Sequence, residues 1–252
     1  MLWRKEIILI LCCILQHAIK KRDELLMKNR ASTVIFDLDG TLADTSGDLI
    51  EAANHCFKLM GHGVILDTQI DAATALRGGR AMLRLGLERF GEASEEAVNR
   101  FYPILLNAYS NAISQHTTLF PGVRRCVRRL IECGCEIGIC TNKPEALAQK
   151  LMRDLSFRDE FGTIVGADTL PVRKPNPLPF LEAVRRLGGV PERACLIGDS
   201  ITDHKTARAA GVPIILVDFG LADQDLAALK PDALITHFDQ LEGVLHKVGI
   251  IP

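Results

Sequence analysis

The chain has almost no net charge. Over 252 residues, 30 Lys and Arg face 31 Asp and Glu, leaving −1. That excludes a broad electrostatic attraction to nucleic acid or to an anionic membrane surface. It also lacks an apolar run long enough to span a bilayer. The longest, residues 7–15, is nine residues, or thirteen if Gln16 and His17 are tolerated up to Ile19, against the ~20 a spanning helix needs. No small-x-small cleavage site follows that run, as a secretory signal would require. Nor do the eight cysteines form a zinc pattern. Cys12 and Cys13 are adjacent, Cys133 and Cys135 flank Gly134, and no second Cys/His pair stands at ligand spacing. Cys56, Cys140 and Cys195 sit inside helical or strand-like apolar runs, the pattern of small buried hydrophobes in a reducing, cytoplasmic compartment.

Residues 1–30 differ in texture from all that follows. Arg4–Lys5 and Lys20–Lys21–Arg22 flank the apolar run. The expectation is that natural translation begins at Met27 and that this extension is not part of the native fold. An ordered helix or anchor is the alternative.

What is present begins at VIFDLDGTLAD, residues 34–44. An apolar β-branched run leads into two aspartates two residues apart, and Gly40 and Thr41 then turn the chain. Two carboxylates at the end of a buried strand repel one another and are costly to desolvate. A bland loop needs neither, so this stretch reads as a catalytic site.

From Thr45 the period becomes helical. Leu49, Ile50, Ala53, Phe57 and Met60 recur at helical spacing, with Thr45, Ser46 and Asp48 as caps and early acidic charge. Further helical patterns cover 68–76, 80–90 and 94–114, and no core-type strand appears between Asp44 and Thr117. The expectation is a small all-helical cap over 45–116, inserted after the first strand, with 31–44 and 117–252 forming the core domain. In that core, strands expected at 33–37, 136–140, 163–166, 194–197, 213–217 and 232–235 alternate with helices. Alternation of this kind predicts an α/β fold, a Rossmann-like parallel sheet covered on both faces, with the ligand site beyond the strands' C-terminal ends.

Four polar groups then fall at strand ends or just after them: Asp37/Asp39 with Thr41, Thr141/Asn142, Lys174, and Asp199 with Asp203. Each has a structural alternative taken alone. Thr141–Asn142 is a good helix cap, Lys174 a plausible loop lysine, and Asp199–Ser200 or Asp203 a helix N-terminus. Sent together to one sheet edge, a hydroxyl, a cation and several carboxylates make a phosphoryl-transfer set.

DLDGT at 37–41, the strand-end Thr141, Lys174 in RKPNP and GDSITD at 198–203 together resemble the four motifs of the haloacid dehalogenase superfamily, in order and spacing, over about residues 33–245. FPGV at 120–123 and the small cap resemble its phosphoglycolate phosphatase branch. The resemblance implies a Mg²⁺-dependent phosphoric monoester hydrolase acting on a small-molecule phosphate, 2-phosphoglycolate foremost, as a monomer or homodimer. Another small metabolite phosphate, or a β-phosphoglucomutase-like mutase, is the alternative. It implies Mg²⁺ on Asp37, Asp199 and the main-chain carbonyl of Asp39, with Asp37 as nucleophile and Asp39 as general acid and base. It implies further that Thr141, Asn142 and Lys174 hold the phosphate; Asp203 is expected to orient Lys174 or a metal-bound water, and Thr41 to steady the turn, with a role in the site as the alternative. The second aspartate favours phosphate over a halide, which leaves without a proton. In the cap, Arg77–Gly78–Gly79–Arg80 is expected to bind a substrate carboxylate; the alternative is a solvated loop. Arg124, Arg125, Arg128 and Arg129 read as a solvated helix face, and Phe120 and Phe180 as core.

Overall fold

The computed structural model describes residues 31–219 and 225–252, so the expectation for residues 1–30 falls outside the described residues. Ser32–Pro252 makes one compact unit. Its centre is β1 (Thr33–Phe36), four residues with every side chain buried. Beside it lie β4 (Glu136–Cys140), β5 (Thr163–Val165), β6 (Ala194–Gly198), β7 (Ile214–Val217) and β8 (Ala233–Ile235). All pair in parallel in the order β5-β4-β1-β6-β7-β8. The six expected strands are all there, each within a residue or two.

Strand periodicity divides the core. Val34, Phe36, Ile137, Ile139 and Ile197 belong to one buried cluster, and their neighbours Ile35, Cys140 and Leu196 to a second, because successive side chains point to opposite faces. Each fully buried Phe or Ile contributes about 1.5–3 kcal/mol of transfer free energy. Helices α5 (Val123–Glu132), α6 (Glu145–Asp154), α7 (Leu178–Arg186), α8 (Ile201–Ala210) and α9 (Leu241–Lys247) flank the sheet.

The register puts the strand ends level. Phe36 pairs with Ile139 on one side and Ile197 on the other, and the Asp37 amide extends the ladder to the Ile197 carbonyl at 2.8 Å. Asp37, Thr141 and Asp199 therefore emerge side by side.

Between residues 44 and 118 lie four helices: α1 (Ser46–Leu59), α2 (Ala72–Ala75), α3 (Gly79–Arg89) and α4 (Glu95–Asn111). They share the apolar cluster of one sheet face through Leu49, Ile50, Phe57, Met82 and Leu105. Two details depart from the expected pattern. The segment is bounded by a two-stranded antiparallel ribbon, β2 (Ala43–Asp44) against β3 (Thr118–Leu119), so its two connections to the core run side by side. Pairs this short leave no period to read. The helix expected over 68–76 also shrinks to α2, because Asp67 Oδ1 accepts from the Gln69 and Ile70 amides and closes a side-chain turn ahead of it.

The expected caps of α1 are used differently. Thr45 makes no side-chain cap. Its hydroxyl instead donates to Asp39 Oδ1 at 2.6 Å. The buried Asp48 carboxylate accepts from the His116 amide and from the Thr117 amide and hydroxyl, at 2.9, 2.9 and 2.7 Å. One carboxylate thus staples the outgoing connection to the returning one.

The six described cysteines are all unpaired, and only Cys133 is exposed. No helix among the described residues is long and apolar enough to cross a membrane. The arginine-rich face of α5 is exposed, as expected, and several of its side chains find surface partners. Arg125 and Arg129 pair with Asp239 and Glu242, and Arg124 donates to the Leu155 and Ser156 carbonyls. Phe180 is fully buried, and Phe120 packs on Phe219 at 4.6 Å between ring centroids.

Candidate active site

After β1 the chain reverses sharply. The Leu38 carbonyl accepts from the Leu42 and Ala43 amides at 2.9 and 3.1 Å, and the Gly40 amide donates to Ala43 at 2.9 Å. Gly40 sits at φ +80°, and a Cβ there would lie 2.4 Å from Asp199 Oδ2. Only glycine admits both the left-handed backbone and the carboxylate behind it. Gly198, ending β6, likewise leaves room for Asp203, which a Cβ would meet at 2.4 Å.

These turns bring together residues far apart in sequence. Asp37 accepts from the Leu38 amide at 2.7 Å and lies 2.9 Å from Lys174 Nζ. Lys174 also contacts Asp203 at 2.6 Å; the lysine is 2% exposed and the aspartate 0%. Ser200 donates to Asp203 at 2.5 Å and caps α8 through the Asp203 amide. Thr41 takes part in the turn, its amide donating to the Leu38 carbonyl at 3.4 Å, and its hydroxyl donates to Asp199 Oδ1 at 2.7 Å. Asn142 turns its amide nitrogen to the Lys174 carbonyl at 3.0 Å, bracing the lysine's loop. Thr141 Oγ1 accepts from the Lys143 amide at 3.2 Å, which leaves the Thr141 hydroxyl hydrogen to donate.

Carboxylate oxygens of Asp37, Asp199 and Asp203 lie within 4.8 Å of one another. Lys174 is the ammonium beside them, in contact with Asp37 and Asp203, so full ionisation of the three leaves two negative charges uncompensated. Burial raises the Asp37 carboxyl to about 7 despite Lys174, with Asp203 and Asp39 adding to the rise. Burial, then Asp203 and Asp37, push Asp199 well above its ordinary value. A cluster of hard oxygen donors, Asp203 buried and Asp37 and Asp199 partly so, short of positive charge fits a divalent cation of the Mg²⁺ class.

Asp39 has its own cation. Lys143 Nζ stands 2.6 Å from Asp39 Oδ1, with the lysine side chain 4% exposed. The same ammonium lies over the Tyr109 ring of α4, 4.6 Å from its centroid. Burial would lower the Lys143 pKa, but Asp39 and Tyr109 more than offset it and hold the group charged. Neither Lys143 nor Tyr109 was legible as a site residue. The available signal was the position of Lys143, immediately after Thr141–Asn142 at the end of β4.

Above the strand ends opens a cavity of about 420 Å³, lined by Asp37, Asp39, Thr141, Asn142, Lys143 and Lys174 below and by Arg77, Arg80, Tyr102 and Tyr109 from the helical segment. Arg80 donates to Asn99 at 2.8 Å and stacks on Tyr102 at 4.4 Å. Arg77 and Arg80 thus reach the same cavity as the aspartates.

A parallel sheet with a candidate carboxylate nucleophile, a buried lysine and an acidic cluster at its C-terminal edge fits a phosphoryl-transfer enzyme. The chain belongs to the haloacid dehalogenase-like hydrolase family, whose model matches residues 34–217. It is 37% identical over 217 residues to a phosphoglycolate phosphatase of Mesorhizobium japonicum, covering 82% of this chain and 92% of that one. It is 36% identical over 210 residues to a phosphoglycolate phosphatase of Xanthomonas campestris pv. campestris, covering 82% and 93%. Among solved structures, a predicted phosphoglycolate phosphatase from Haemophilus somnus superposes with a TM-score of 0.75 at 22% identity, covering 85% of this chain and 97% of that one. CbbY from Rhodobacter sphaeroides, in complex with phosphate, gives 0.68 at 22%, covering 84% and 96%. At those identities the structural likeness speaks for the fold.

Proposed function

We propose that this enzyme is a Mg²⁺-dependent phosphatase that hydrolyses a small phosphate monoester through an aspartyl-phosphate on Asp37, with 2-phosphoglycolate as its substrate. The observation that carries the reading is the convergence of Asp37, Asp199 and Lys174 beneath a cavity whose far wall supplies Arg77 and Arg80. The activity in the names of its relatives agrees with that chemistry.

Asp37, Asp199 and the main-chain carbonyl of Asp39 would hold the ion, with Asp203 beside them. Bound there, Mg²⁺ offsets the repulsion between a carboxylate and a phosphate dianion. Asp37 attacks phosphorus. As its new P–O bond forms, the bond to the leaving oxygen breaks, and the electron pair stays on that oxygen. The resulting alkoxide is strongly basic, and Asp39 gives it a proton. Lys174 and the Thr141 hydroxyl hold the transferring group's oxygens as charge builds on them. Water then attacks the aspartyl-phosphate and passes a proton back to Asp39. The acyl–phosphate bond breaks toward Asp37, which is regenerated as phosphate departs.

The helices over 45–116 act as a cap that excludes water during attack and selects small substrates. Within it Arg77 and Arg80 bind the substrate carboxylate. Unpaired cysteines are consistent with a cytoplasmic setting. The test is phosphate release with Mg²⁺ across 2-phosphoglycolate, sugar phosphates and nucleotides, alongside Asp37→Asn. The expected result is a preference for 2-phosphoglycolate of about tenfold or more in kcat/KM, the value of one well-made charged contact. Asp37→Asn should abolish turnover and trapped phosphoenzyme. Near-normal rates in that variant would sink the mechanism.

A further inference from the structure

The mechanism above uses Asp39 but does not account for the buried Lys143 beside it. A lysine with a side chain only 4% exposed is costly to place, and the ion pair this one makes is with Asp39 Oδ1 at 2.6 Å. Thr45 donates to the same oxygen, also at 2.6 Å. Both bonds therefore converge on Oδ1, and Oδ2 accepts none among the described residues. Asp39 lines the cavity beside Asp37, so the pinned oxygen and the unengaged one divide between scaffold and substrate. The other face of the ammonium is covered by the Tyr109 ring of α4. Residues from β4's end, α1's start and α4 thus jointly set one carboxylate. A side chain with two free torsions would otherwise sample several rotamers.

We infer that Lys143 is the positioning residue for Asp39, clamping Oδ1 so that Oδ2 faces the leaving-group oxygen, with Tyr109 seating the lysine. The inference rests on the reading of Asp39 as general acid. It differs from a role for Lys143 in packing or in holding phosphate, because it ties the lysine to one proton transfer. That transfer matters when the leaving group is an alkoxide. It matters little when the leaving group is a stable phenolate.

The experiment is pre-steady-state kinetics of the full chain with Mg²⁺ and excess substrate, comparing an alkyl phosphate (2-phosphoglycolate) with p-nitrophenyl phosphate. In Lys143→Met the first turnover of the alkyl ester should fall about 100-fold, in the range of a lost general acid. The first turnover of p-nitrophenyl phosphate should stay within about threefold, appearing as a burst of one p-nitrophenolate per enzyme. A slow steady state should follow, because Asp39 also serves the water step. Tyr109→Leu should shift rates in the same substrate-selective sense by a few fold. If Lys143→Met does not fold, Lys143→Gln, which keeps a donor at shorter reach, takes the same test. Asp39→Asn is run beside them. If it shows the leaving-group split and the lysine variant slows both esters equally, the inference is overturned while the reading of Asp39 stands. If Asp39→Asn itself slows both first turnovers equally, Asp39 is not the acid, and both fail.

Discussion

Thr41 and Asp199 lie 158 positions apart and meet at 2.7 Å, hydroxyl to carboxylate. That bond ties the turn after β1 to the end of β6 and holds the carboxylate least served by lysine. Thr41→Val, nearly the same shape without the hydroxyl, should leave the fold intact and weaken Mg²⁺ activation by about tenfold, the worth of one hydrogen bond to a charged group. A Mg²⁺ titration of initial rate reads this directly. Unchanged half-saturation would show that Asp199 is held without Thr41.

Protons and the cation should compete for the acidic cluster. Burial and neighbouring carboxylates raise the Asp37 carboxyl to about 7 and hold Asp199 well above its ordinary value. For groups whose folded pKa exceeds the unfolded value, the folded state binds more protons between the two. Stability of the metal-free protein therefore falls as pH rises from about 4 to 7. Added Mg²⁺ replaces those protons. Its stabilisation, measured as a rise in Tm, should be small at pH 5 and grow through pH 8. A Tm rise independent of pH would contradict the assignment.

Within the cap, Asp71 and Arg89 form a two-pronged ion pair at 2.8 and 2.6 Å. Burial would raise the Asp71 carboxyl, but the Arg89 hydrogen bonds outweigh it and hold it below 3.8. The pair's contribution is complete above that value and is lost as pH falls through the lower folded pKa. Asp71→Asn should thus cost roughly 1 kcal/mol near neutrality, the guanidinium being partly solvated. The gap from wild type should narrow below about pH 4 in urea unfolding.

Asp48 offers a sharper stability test. Its carboxylate takes three bonds from His116 and Thr117, and truncation strands two buried donors. Asp48→Ala should cost about 2 kcal/mol or more. It should also raise hydrogen exchange at the Ala43–Asp44 and Thr118–Leu119 ribbon, while the central sheet stays protected.

Substrate choice should respond to the cap arginines. Arg77→Ala and Arg80→Ala should each raise KM for 2-phosphoglycolate about tenfold and barely change it for a phosphate ester lacking a carboxylate. Equal effects on both substrates would assign these side chains to cap packing.

Much of this enzyme was determined by local sequence. A four-residue apolar strand running into DLDGT dictates a buried β1 ending in carboxylates, and helices alternating with strands dictate a parallel sheet. Parallel strands align their ends, so the order of elements alone sends Thr141 and Asp199 to one edge, with Lys174 in the loop after the neighbouring strand. What lay beyond sequence was the choice of partner. Thr45 is as good a cap as any threonine, yet its hydroxyl serves Asp39. Lys143 carries no local mark separating it from a surface lysine. It becomes buried and paired only because α4 lays Tyr109 across it and β1 brings Asp39 beneath. Hydrogen-bond partners 104 and 158 residues apart are selected by chain packing, to which backbone periodicity is blind. The opening motif therefore announced two aspartates, and tertiary structure decided which cation each received: Lys174 for Asp37 and Lys143 for Asp39.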